Sequence, residues 1–104
     1  MNVEVLAEAA AEFDDAVEYY SLIRPPLAKE FVRRFKECLL NIERNAENHP
    51  RLETLDFDLD IRRAILKRFP YMIVFELHPS EIRLLAFAHT ASLPNYWMGR
   101  RSDS

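Results

Sequence analysis

Seven Arg and Lys side chains crowd the stretch from Arg62 to Arg101, interleaved with two histidines and large aromatics. Arg62, Arg63, Lys67 and Arg68 come first, Arg83 follows alone, and His89, Tyr96, Trp97, Arg100 and Arg101 close the chain. Arginines beside aromatic rings suit two chemistries. Guanidinium groups grip phosphates while rings stack on bases, or the same residues anchor an acidic protein segment. A third reading is architectural: Tyr96 and Trp97 fold back and cover apolar surface, as large aromatics near a chain end usually do.

Other chemistries are excluded. Gly99 is the only glycine, so there is no Gly-rich phosphate loop. His49, His78 and His89 fall in different segments without metal-ligand spacing. Ser21, Ser80 and Ser92 lie in no nucleophile-elbow context. Cys38 is the sole cysteine, which rules out an internal disulfide and a Cys-based metal site. Its place on an apolar helix stripe makes it a buried structural thiol. No metal and no cofactor is expected. The opening MNVEVLAEAAAEF has neither the basic start nor the apolar core of a signal peptide. The longest apolar runs, such as residues 71–75, are too short to span a bilayer. The expected address is the cytoplasm.

The elements that must position these residues are legible from periodicity. Val3 and Val5 alternate with Asn2 and Glu4, a short strand. Leu6, Ala9, Phe13, Ala16, Val17, Tyr20 and Ile23 then recur at three and four, one face of a helix, with Glu8, Glu12, Asp14, Asp15 and Glu18 off that face. Arg24-Pro25-Pro26 ends this helix, and Pro26 can open the next. Ala28, Phe31, Phe35, Cys38, Leu39, Ile42 and Ala46 form the second stripe, ending near His49-Pro50. An acidic connector, residues 51–60, leads to three strand-length runs at 61–68, 71–77 and 82–89, with short gaps that imply antiparallel neighbours. The fold class is therefore α+β, in the order β-α-α-β-β-β, a helical hairpin packed on a small antiparallel sheet, with residues 1–104 as a single domain.

The last two strands are apolar on both faces. Simple alternation puts Tyr71, Ile73, Phe75 and Leu77 on one face and Met72 and Val74 on the other. It likewise sets Ile82, Leu84, Ala86 and Ala88 against Leu85 and Phe87, and puts Arg63 on the side of Ile61 and Ile65. A hairpin covers one face only, so the second face needs the chain's own C-terminal segment or a partner protein. Charge is also two-sided. Residues 1–60 carry 14 acids against 7 bases, and residues 61–101 carry 2 acids against 7 bases, within a net charge of −3. Two faces of opposite sign suggest different partners.

The stretch IRRAILKRFPYMIVFELHPSEIRLLAFAHTASLPNYWMGR resembles the RelE/ParE superfamily of bacterial toxins, often labelled plasmid-stabilisation proteins. Arg62-Arg63, Arg68-Phe69-Pro70-Tyr71, Ala88-His89, Pro94, Tyr96-Trp97 and Arg100 carry the resemblance. Glu12, Ala16, Tyr19-Tyr20, Leu27-Ala28 and Phe31 extend it over nearly the whole chain. It implies the same β-α-α-β-β-β fold and the toxin half of a type II toxin–antitoxin pair, with a partly disordered antitoxin that wraps the toxin. It implies one of two activities. RelE-like members cut messenger RNA on the ribosome. ParE-like members inhibit DNA gyrase.

For RNA cleavage, Arg62, Arg63, Arg68 and Tyr96 are the candidate catalytic residues. For binding a target or an antitoxin, the candidates are Arg62, Arg63, Arg68, Arg83, His89, Tyr96, Trp97 and Arg100. The connector acids Glu53, Asp56, Asp58 and Asp60 would repel an RNA backbone. Ser92 stands where many relatives have an arginine, and Thr90 and Ala91 offer none. These departures, with the net negative charge, favour a ParE-like toxin that is not a nuclease, or a toxin with weakened activity, and lean against an enzyme. The alternatives are a ribosome-dependent endonuclease and a degenerate member that only binds antitoxin.

Overall fold

The computed structural model describes residues 2–53 and 58–101, so the expectation for Asp56 in the connector lies outside the described residues. β1 (Asn2–Val5) leads through Leu6 into α1 (Ala7–Ile23), and α2 (Pro25–Asn45) follows after Arg24 alone. That arginine is extended, as a residue before proline prefers, and α2 opens with prolines in its first turn. A 3-10 turn at Ala46–Asn48 ends the hairpin. β2 (Ile61–Ile65), β3 (Tyr71–Leu77) and β4 (Glu81–His89) then form the expected antiparallel meander. β1 adds to the free side of β4 in parallel, which makes a four-strand mixed sheet of order β1-β4-β3-β2.

β2 is shorter than the run 61–68 suggested. Leu66 returns its N–H to the Tyr71 carbonyl, and Arg68 takes φ 71, a left-handed conformation that no strand continues through.

One face of the sheet packs under the hairpin. Phe31, Ile42, Ile73, Phe75, Ile82, Leu84 and Phe87 form its buried centre. Phe87 stacks on Tyr71 at 5.1 Å and meets Phe31 edge-on at 5.6 Å. Full burial of side chains of this size stabilises by about 1.5–3 kcal/mol each.

Phe87 is not where simple alternation placed it. Phe75 pairs with Leu84 while Val74 pairs with Ala86, so Leu85 is an extra residue, a β-bulge. The bulge resets the alternation. Phe87 joins Ile82 and Leu84 under the helices, and Leu85 and Ala86 both join the second face. For β3 the expected alternation holds.

The second face is covered by the chain itself. Ile61, Val74, Leu85 and Ala86 pack against Trp97, with Leu6, Leu52, Leu59, Met72 and Met98 around them. Among the two covers that the sequence left open, the C-terminal segment supplies this one.

Candidate functional site

The C-terminal residues form a clasp. Asn95, at φ 62, turns the chain back, and Trp97 is 2% exposed in the second core. On one side of it the Tyr96 hydroxyl donates to Glu12 Oε2 at 2.5 Å. Arg100 donates to the same carboxylate at 2.6 and 3.1 Å, with its guanidinium 5.0 Å from the Tyr96 ring centre. On the other side Arg101 grips Glu76 through two bonds of 2.7 and 2.6 Å.

Glu12 and Arg100 also finish the sheet. β1 stops at Val5, and Leu6 makes its last bond to the Leu84 carbonyl. Beyond that point the Phe87 N–H donates to Glu12 Oε1 at 3.1 Å, and the Leu85 carbonyl accepts from Arg100 at 3.1 Å. Two side chains thus make the bonds that a neighbouring strand would otherwise make, which closes an open edge.

Electrostatics follow the geometry. Burial pushes the Glu12 carboxyl up, but bonds from Arg100, Tyr96 and the Phe87 N–H outweigh it and hold it below its ordinary value. Burial, then the bond to Glu12 and its negative charge, push the Tyr96 phenol well above its ordinary range. Glu76, the buried acid of β3, balances burial against the Arg101 bonds and the charges of Arg101, His78 and Arg83, and ends lowered. It lies in one row across three strands, paired with Arg83, which in turn pairs with Glu4.

Three more candidates are occupied. Arg62 donates to Asp60 at 2.8 and 3.3 Å and to the carbonyls of Glu47 and His49 at 2.6 and 2.9 Å, tying the end of the hairpin to β2. Arg83 lies 3.3 Å from Glu81 and 3.7 Å from Glu4. His89 accepts the Ala91 N–H at Nδ1, its ring edge-on to Tyr71. Arg63 and Arg68 differ. Half-buried Arg63 lies on the second face opposite Val74 and forms no ion pair among the described residues. Arg68 is 73% exposed and reaches Glu30 only at 4.0 Å.

The candidate catalytic set is therefore not assembled. Arg62 lies on edge strand β2, Arg68 beyond its far end, and Tyr96 on the open side of β4. Two strand spacings, roughly 10 Å, separate the lines of β2 and β4. Cys38 is half-buried rather than fully buried; its thiol donates to the Ala64 carbonyl at 3.7 Å, and burial pushes it up to about 11. Among the described residues no group of three His, Cys, Asp or Glu could hold a metal, and no helix is long and apolar enough to cross a membrane.

Glu12 and Glu76 are the residues that sequence reasoning missed as organisers. Glu76 carried a signal: an acid inside the apolar run YMIVFEL must be paired when buried. Glu12 carried little, since it reads as one of five acids on a helix with no bases.

A hairpin braced on a mixed sheet, with several of its cations bound by its own acids, defines a small α+β domain of the order β-α-α-β-β-β. The profile of the family described as ParE toxin of type II toxin–antitoxin system, parDE, matches residues 3–94, and the chain belongs to that family. In fold it is similar to a chain from a solved structure of the chromosomal ParDE TA system from P. aeruginosa. The two are 21% identical with a TM-score of 0.70, over 86% of this chain and 95% of that one. No curated protein matches the chain.

Proposed function

We propose that this ParE-family toxin acts in the cytoplasm by binding a protein target such as DNA gyrase, not by cleaving RNA, and that a cognate antitoxin neutralises it. One observation carries the reading: the Tyr96 hydroxyl and the Arg100 guanidinium are both bound to Glu12. Ribonuclease chemistry needs a free acid–base group and free cations around one phosphate. A phenol that donates to a carboxylate, with its proton held more tightly than usual, is poorly placed for that work. Family membership supports the same reading. Of the proposed contact residues, half-buried Arg63, which forms no ion pair among the described residues, and Arg68, 73% exposed and only 4.0 Å from Glu30, are the cations best able to meet a partner.

The test is to run two assays on the purified chain, one of gyrase supercoiling and one of transcript cleavage on translating ribosomes. Inhibited supercoiling with intact transcripts is expected, relieved by the product of an adjacent small reading frame. Transcript cleavage without an effect on gyrase would overturn it.

A further inference from the structure

At the end of the hairpin farthest from the clasp, Arg24 between the helices, the start of α2 and the β2–β3 turn line a cleft of about 310 Å³. Its floor is apolar: Pro26, Leu27 and Phe69. Arg24 and Arg68 stand at its walls with Glu30. The carboxylate of Glu30 is engaged mainly by two other arginines of α2. Hydrogen bonds from Arg33, and then from Arg34, hold it below its ordinary value, at 2.6 and 2.9 Å from the two guanidiniums. Arg24 makes no side-chain bond among the described residues, and Arg68 reaches Glu30 only at the 4.0 Å limit.

Two further observations mark the tip. Arg68 is an arginine at φ 71. Non-glycine residues are uncommon there, and such strain collects where a side chain must be presented. The neighbouring surface is apolar, with Tyr19 and Ile23 each 58% exposed and Leu22 80% exposed. This apolar surface is continuous with the cleft through Tyr20, whose ring lies 5.2 Å from Tyr19 and 5.1 Å from Phe69. Exposed apolar groups clustered beside exposed, weakly paired cations are a binding surface more than a solvated one.

We infer that the hairpin tip is a docking surface for an acidic segment of a partner protein, which sets an apolar side chain on Leu27 and Phe69 and its carboxylates against Arg24 and Arg68. Charge complementarity selects this occupant, because guanidiniums take carboxylates in paired hydrogen bonds. The apolar floor and rim select a protein segment over a nucleic-acid backbone, whose contacts are dominated by phosphate. The inference deepens the reading above, resting on its premise that the chain works by binding proteins, and its test is independent of the gyrase assay.

The test titrates the full chain into a fluorescein-labelled peptide of Glu and Leu, and into the same peptide with every Glu replaced by Gln, following anisotropy. The Glu peptide should bind at least tenfold more tightly, and Arg24→Glu and Arg68→Glu should each weaken it by roughly tenfold. Leu22→Ser should weaken it less, and Arg44→Glu, at the far end of α2, should leave it unchanged. Thermal unfolding of each variant separates lost binding from lost folding, and Arg24 carries no backbone strain that could confuse the two. Equal binding of the Gln peptide would overturn the inference, as would full binding by both charge-reversed variants. So would tighter binding of a single-stranded oligonucleotide at the same residues, or a dimer of the chain that Arg24→Glu dissolves.

Discussion

Arg100 reaches back across 88 positions to donate two hydrogen bonds to Glu12, and the same guanidinium caps the Leu85 carbonyl on the open edge of β4. This arginine therefore belongs to the fold before it belongs to any interface. Arg100→Ala removes bonds to a part-buried carboxylate and leaves Glu12 with a poorer set of partners. A loss of about 2 kcal/mol is expected, in the range for hydrogen bonds to charged groups. In a domain of this size that lowers Tm by roughly 8 °C or more. Arg63→Ala, which breaks no ion pair among the described residues, should stay within about 0.5 kcal/mol. Calorimetry of the two variants side by side checks the contrast.

The two organising carboxylates set an acid limit on stability. Glu12 and Glu76 both titrate below their ordinary value of 4.5 in the folded chain. Lowered folded values mean that the stabilisation is complete above about 4.5 and is lost as pH falls through the folded values. Tm should hold level from neutrality down to about pH 5 and then drop. Glu76→Gln should flatten the drop while lowering Tm at neutral pH, where Arg101 loses its charged partner. A Tm that rises below pH 4.5 would contradict the assignment.

Trp97 is the only tryptophan, so its fluorescence reports the clasp alone. Buried at 2% exposure against Leu85 and Val74, it should emit at short wavelength. Arg101→Ala frees one side of the segment that holds it, and should red-shift the emission before global unfolding begins. Trp97→Ala opens a cavity in the second core and should cost about 3–5 kcal/mol.

The element order was readable because period and punctuation agree. Leu6 to Ile23 and Ala28 to Ala46 repeat at helical spacing, and Arg24-Pro25-Pro26 leaves no room between the helices for anything but a turn. The bulge at Leu85 was not readable. The stretch Leu84-Leu85-Ala86-Phe87 is apolar throughout, so alternation offers no mark of the point where the phase resets. The site fared unevenly for a related reason. Arg62, Arg83, Tyr96 and Arg100 announce chemistry by type, but their partners Asp60, Glu81 and Glu12 come from acids that look like solvated charge. Which cations remain free is a tertiary fact: among the described residues Arg63 forms no ion pair, and Arg68 reaches Glu30 only at 4.0 Å.

Cys38 should behave as a quiet thiol. Burial raises it to about 11, so the reactive thiolate is scarce at neutral pH. Labelling by a thiol-specific disulfide reagent at pH 8 should be slow in the folded chain and fast in denaturant. Cys38→Ala should keep growth inhibition and cost about 1–2 kcal/mol as a modest core truncation. Rapid labelling of the folded protein would show that the cleft beside Cys38, His49 and Lys67 opens more than the structure indicates.

Arg68 allows side chain and backbone to be separated in one experiment. At φ 71 a residue with a Cβ is strained by roughly 1 kcal/mol relative to glycine. Arg68→Gly relieves that strain, but it also loosens the unfolded chain, which offsets about 0.4–1 kcal/mol. The net change in stability should lie near zero. Arg68→Val keeps the strain, adds β-branching, and should be the less stable of the two by about 1 kcal/mol or more. Both variants remove the exposed guanidinium. If that cation contacts a partner, both should lose growth inhibition to a similar degree while their melting temperatures separate. Growth inhibition that tracks Tm instead, intact in the glycine variant and reduced in the valine variant, would assign Arg68 to the turn and remove it from the interface.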